Sequence, residues 1–180
     1  NLFGIDIANI GFDITSLPEF KEADVIHLHW INQGMLSLKN IRKIINSGKP
    51  VVWTMHDMWP ASSICHLTLG CHHYTNGCGN CKYLPGGGGK NDLSEKVWRQ
   101  KQKTYGIGNI SFVTCSKWLA SEAKLSALLN GQRVYTIPNP IDTHVYQQQD
   151  KREARFRTML PEGKRVILFI AQKATNPYKG

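Results

Sequence analysis

The chain has 180 residues, 41% hydrophobic and 19% charged, enough for one sizeable core, or for one domain with part of another. No apolar run approaches the ~20 residues of a membrane span, and no basic segment followed by an apolar one opens the chain as a secretory leader would. The formal charge of +9 favours an anionic partner such as a nucleotide diphosphate, a phospholipid surface or nucleic acid.

The first apolar, β-branched run is "VIHLHW" over 25–30. "GMLSLKNIRKIINSGK" follows, where Leu38, Ile41, Ile44 and Ile45 form a helical stripe and Gly48 supplies a stop. The second run is "VVWTMH" over 51–56. Residues 60–90 then show no periodicity, hold the clustered cysteines and include "LPGGGGK", which reads as a mobile loop. A basic helix, "LSEKVWRQKQKTYG", leads to the third run, "SFVTC", over 111–115. From Lys82 to Tyr105 there are six Lys or Arg against two acids, a patch that suits an anionic partner and reads equally well as a solvated helix face.

Ser116 is placed to cap the next helix, "SKWLASEAKLSALLNG", whose expected buried stripe is Trp118, Leu125, Leu128 and Leu129. "RVYTIP" over 133–138 is the fourth run. After "PNPID" a short polar helix, "KREARFRTML", leads to a fifth run, "VILFIA", over 166–171. Strands and helices alternate, and most strands are continuously apolar. That rhythm predicts an α/β fold, a Rossmann-like parallel sheet covered on both faces. The chain opens on Asn1 rather than Met and closes just after a strand, so an internal piece of a longer protein is expected.

Ligands of open parallel sheets bind at the carboxyl ends of the strands. His29 and Trp30 follow the first strand, His56 and Asp57 the second, Ser116 the third, and Asn139 and Asp142 the fourth. Together they suit a cleft for hydroxyls and phosphates, although any one of them alone reads equally well as a satisfied polar cap. The adjacent His56 and Asp57 invite a general-base reading, but neighbours on a strand point to opposite faces. The "GGGG" run follows no strand and opens no apolar helix, so it is weak evidence for phosphate binding.

Five cysteines without a secretory signal fit a reducing compartment. Four of them form the pattern Cys65-x5-Cys71-x6-Cys78-x2-Cys81. The closing Cys-Gly-Asn-Cys has the form of a metal knuckle, so a structural zinc held by the four thiolates is one reading, with His66, His72 or His73 able to replace a ligand. Two disulfides, or thiols with no shared partner, are the others.

"ADVIHLHW", "VVWTMHDMWP", the Cys-rich "GCGNC", "VTCSKWLASEA", "VYTIPNPIDTHVY" and "VILFIAQ" with a closing "KG" occur in that order. Over about 22–180 the chain thereby resembles the family 4 retaining glycosyltransferases of the GT-B fold, particularly the bacterial capsule and exopolysaccharide branch. The resemblance implies part of the acceptor-binding N-terminal domain over 1–140, an interdomain linker over 141–163, and over 164–180 the first strand of the C-terminal, nucleotide-sugar-binding domain. The family's glycine-rich amino-terminal turn and its distal Glu-x7-Glu motif have no counterpart here.

By the same resemblance His56 lies beside the transferred sugar and hydrogen-bonds one of its hydroxyls. Lys179 neutralises the departing diphosphate. Where the family often has a Gly-Arg at the end of its strand, this chain reads Ala171-Gln172-Lys173, which makes Lys173 the stand-in for the second cation. His29, Trp30 and Asp57 line the acceptor side, and Ser116 and Asn139 lie near the donor. The expected partners are a nucleotide-diphosphate sugar as donor, a glycan or lipid-linked acceptor, and an anionic membrane surface suited to the basic helix from Lys96 to Lys103. No catalytic metal and no nucleic acid are expected, and the setting is the cytoplasm at the inner face of the membrane. Two other readings stay open: a zinc-stapled, non-catalytic module that binds glycan or nucleic acid, and another GT-B enzyme, an inverting transferase or an epimerase.

Overall fold

The computed structural model describes residues 4–170 and residue 175, and these divide into two compact units that part between Asn139 and Pro140. The first unit is built on four parallel strands in the spatial order β1-β2-β3-β4: β1 (Ile26–Leu28), β2 (Val51–Met55), β3 (Ile110–Thr114) and β4 (Arg133–Thr136). The register runs Ile26–Val51–Ile110 and Leu28–Trp53–Phe112. The Rossmann-like α/β expectation is met.

Each strand adds on the same side of the one before, so right-handed crossovers send the connecting helices to one face. The connectors are α2 (Leu38–Asn46), α3 (Leu93–Tyr105) and α4 (Lys117–Leu125), preceded by a short α1 (Pro18–Glu22) that the sequence did not announce. On that face Trp53 packs edge-on to Tyr105 of α3 and stacked on Phe112, with ring centroids 5.9 and 5.7 Å away. α2 buries Leu38, Ile41, Ile44 and Ile45, the four residues its spacing predicts. Its start is fixed by a reciprocal capping box between Ser37 and Asn40. The backbone of Leu36 and Ser37 lies so close to Gly11 that a Cβ there would stand 2.2 Å from the Ser37 nitrogen.

The opposite face is only partly covered, against the expectation of cover on both. Thr54 and Val113 are buried, Val52 and Ser111 are half-buried, and His27, Arg133 and Tyr135 are exposed. With all three crossovers on one side, no connecting helix lies over these residues.

α4 also departs from expectation. Trp118 and Leu125 are 63% and 58% exposed, and the helix buries Leu119, Ala120 and Ala123 instead. Leu128 and Leu129 are buried as expected, but beyond the end of the helix.

The "GGGG" passage is folded back rather than loose. Gly86, Gly87 and Gly88 have φ of 77°, 83° and 79°, a region that suits glycine. A Cβ on Gly88 would stand 2.3 Å from the Cys81 nitrogen. Asp92 ties this passage to α3. One carboxylate oxygen accepts from the Cys81 and Gly89 nitrogens at 2.8 and 3.3 Å, and the other accepts from the Glu95 nitrogen and Ser94 Oγ at 3.0 and 2.6 Å.

The second unit holds α5 (Lys151–Arg157), capped by Asp150. The strand expected over 166–171 does not form over 166–170. A strand needs a neighbour for its backbone hydrogen bonds, and that run has none among the described residues.

Candidate active site

At the carboxyl ends of β1 and β2 the chain brings together His29, Trp30, His56 and Asp57, all four predicted for this edge. His29 Nδ1 and His56 Nε2 share a hydrogen bond at 3.1 Å, and their rings stack with centroids 5.4 Å apart. His27 extends the row, its ring 4.2 Å from that of His29 and its Nε2 2.8 Å from the Thr54 hydroxyl. Partial burial and the neighbouring His29 lower the pKa of His27. His29 and His56 are both exposed.

Asp57 turns away from His56. One carboxylate oxygen accepts from Trp30 Nε1 at 3.0 Å and pairs with His66 Nδ1 at 2.7 Å, and the other accepts from the Trp59 nitrogen at 2.9 Å. The carboxylate is therefore a clamp for Trp30 and for the turn after β2. It is not the orienting partner of His56, whose ring is set by His29. Trp30 is 41% exposed and its ring lies 5.7 Å from that of His66. An indole fixed at its nitrogen, with part of its surface open, offers a rigid apolar face on which another ring can stack.

His66 and Lys101 are the residues that reading the sequence missed. His66 is 5% exposed and stood among the cysteines as a substitute metal ligand. Lys101 stood in the basic helix, yet it is fully buried. Its Nζ donates to the Trp59 and Ser62 carbonyls at 2.5 and 3.0 Å and lies 3.2 Å from the centroid of the Trp59 ring. Burial drives its pKa well below that of an ordinary lysine. Trp59 Nε1 in turn donates to the Asp6 carbonyl at 2.8 Å. The Asp6 carboxylate accepts from Asn32 Nδ2 and the Gln33 nitrogen at 3.0 and 2.8 Å, which anchors the loop that follows Trp30.

The other predicted site residues lie apart from this cluster. Ser116 caps α4, its Oγ accepting from the Leu119 nitrogen at 3.1 Å. Asn139 is exposed beyond β4, on the far side of β3 from β2. Lys173 and Lys179 lie outside the described residues.

Cys65, Cys71, Cys78 and Cys81 line one small pocket with Ile64, His73 and Ser94, and all four are free thiols. Burial raises the thiol pKa of Cys65 and Cys81 and pushes that of Cys78 up to about 12. Among the described residues no group of three or more His, Cys, Asp or Glu is arranged to hold a metal ion. The loop is held by its own hydrogen bonds, among them Tyr83 Oη to the Leu67 carbonyl at 2.7 Å and Lys82 Nζ to the Leu69 carbonyl at 2.9 Å.

Comparison with known proteins gives two matches. The profile of the family described as Glycosyltransferase Family 4 matches residues 13–145. WcaC of Escherichia coli (strain K12), which carries the name of a colanic acid biosynthesis glycosyl transferase, is 33% identical over 66 residues. That stretch covers 33% of this chain and 16% of WcaC. No solved structure matches.

Proposed function

Because the chain belongs to glycosyltransferase family 4, we propose that it supplies the acceptor side of an enzyme that transfers a sugar, with retention, from a nucleotide-diphosphate sugar to a glycan or lipid-linked acceptor. The name of WcaC supports polysaccharide biosynthesis as the setting. The reading places the protein in the cytoplasm against the inner face of the membrane; among the described residues no helix is long and apolar enough to cross one.

The observation that carries this reading is the pairing of an exposed His29–His56 couple with a clamped, partly open Trp30 at one strand edge. In it, His56 donates to or accepts from a hydroxyl of the transferred sugar, in the tautomer that His29 selects. Trp30 carries the acceptor ring. Lys179 and Lys173 serve the donor diphosphate, and 164–180 begins the donor-binding part. Ser116 and Asn139 stand on the donor side.

Enzyme carrying this chain together with its donor-binding domain tests the assignment. His56→Ala is expected to lower kcat about 100-fold, the usual cost of removing one preorganised hydrogen-bonding group at a reacting centre. Unchanged turnover would remove His56 from the site. The anomeric configuration of the product, read by NMR, decides retention, and an inverted linkage would overturn that part.

A further inference from the structure

The basic helix expected to meet an anionic surface has fewer charges free for one than its sequence offers. In α3 Lys101 is buried in the core, and Arg99 is paired with Glu95 one turn away. That leaves Lys96 and Lys103, both exposed and without an ion pair among the described residues. α2 makes up the difference. It runs alongside α3, and their facing residues Lys39, Arg42, Gln100 and Lys103 line one groove, with Ser37 and Thr104 at its floor. Lys39 and Arg42 are likewise exposed and unpaired. Among the described residues no acid lines the groove. Lys96 stands one helical turn before Gln100 on the same face of α3.

We propose that the outer surface of the α2–α3 pair is a docking face for an anionic phospholipid bilayer, with Lys39, Arg42, Lys96 and Lys103 as its contacts to headgroup phosphates. The proposal takes up the membrane setting given above and assigns it to a surface of two helices instead of one. Charge complementarity selects this occupant. Four unpaired cations are spread along two parallel helices, and none is buried to enclose a small anion. The face lies on the helix side of the sheet and shares no residue with the His29–His56 edge, so docking leaves that edge free.

The test is flotation of the 180-residue chain with vesicles of phosphatidylcholine, with and without phosphatidylglycerol, at low and physiological salt, in the absence of any sugar substrate. Binding is expected only with phosphatidylglycerol and should weaken as salt rises. Lys39→Gln with Lys103→Gln is expected to weaken it about 30-fold, from ~1 kcal/mol for each basic residue near such a surface. A control pair of equal charge change, Lys117→Gln with Lys124→Gln on α4, should leave binding within about twofold, since those residues lie outside the contact set. No binding to the anionic vesicles, or equal loss in both pairs, would overturn the assignment. So would full competition by inorganic phosphate, which would make the groove a soluble-phosphate site, or equal binding to an RNA oligonucleotide. Because vesicle binding is read without turnover, its failure is separate from failure of the glycosyltransfer reading.

Discussion

Lys101 shows how one side chain can hold the geometry of an edge it does not touch. Its Nζ bridges the Trp59 and Ser62 carbonyls, and Trp59 is the residue whose backbone nitrogen fixes Asp57. Lys101→Met keeps most of the volume but leaves the Ser62 carbonyl without its donor. It should cost about 1–3 kcal/mol of stability in urea unfolding, and an equal or higher midpoint would refute the bridging role. Its burial was legible in the spacing, since Val97, Trp98, Lys101, Thr104 and Tyr105 share the apolar face of α3. The charge of Lys101 hid the pattern. Gly11 makes a second case, because the backbone around Ser37 that it abuts forms the cap of α2. Gly11→Ala is expected to destabilise by about 1–3 kcal/mol, the cost of overpacking against atoms that cannot rotate away. A thermal midpoint equal to that of the parent would show that the contact yields freely.

Among the elements, α3 is anchored at its start by Asp92. Partial burial would raise this carboxyl, but the donors from Ser94, Cys81, Glu95 and Gly89 outweigh it and hold the pKa well below the ordinary carboxylate range. A carboxylate depressed in the folded state contributes stability that is present in full above its unfolded pKa of about 3.9 and is lost as pH falls toward the folded value. Asp92→Ala should therefore cost about 1 kcal/mol at neutral pH. The gap from the parent should narrow in melts taken below about pH 4. A gap that stays constant with pH would contradict the linkage. The element boundaries also show where periodicity fails. α2 was legible because its four buried positions are all large and apolar. In α4 the buried face is Leu119, Ala120 and Ala123, and two small residues were outvoted by the bulk of Trp118 and Leu125, which face water.

For the whole molecule, the parallel α/β plan was legible because β-branched runs alternate with helical spacing. The chemistry of one strand edge followed from which residues come just after each strand. The partners of those residues were not legible. Asp57 could have faced His56, and only the turn after β2, folded back by Trp59 and Lys101, sends it to Trp30 and His66 instead. Nor did the sequence reveal that the second sheet face is only partly covered, since continuous apolar runs look alike whether or not a full layer lies over them. The fifth run has the composition of a strand, but its backbone finds no neighbour to pair with among the described residues.

The thin cover over that second sheet face reaches the imidazoles themselves. His27 sits on it, touches His29, and through His29 meets His56. Any layer laid over the face strips water from the outer member of this row and makes its protonated form dearer. The proton affinity of His27 would then depend on whatever comes to rest on the back of the sheet.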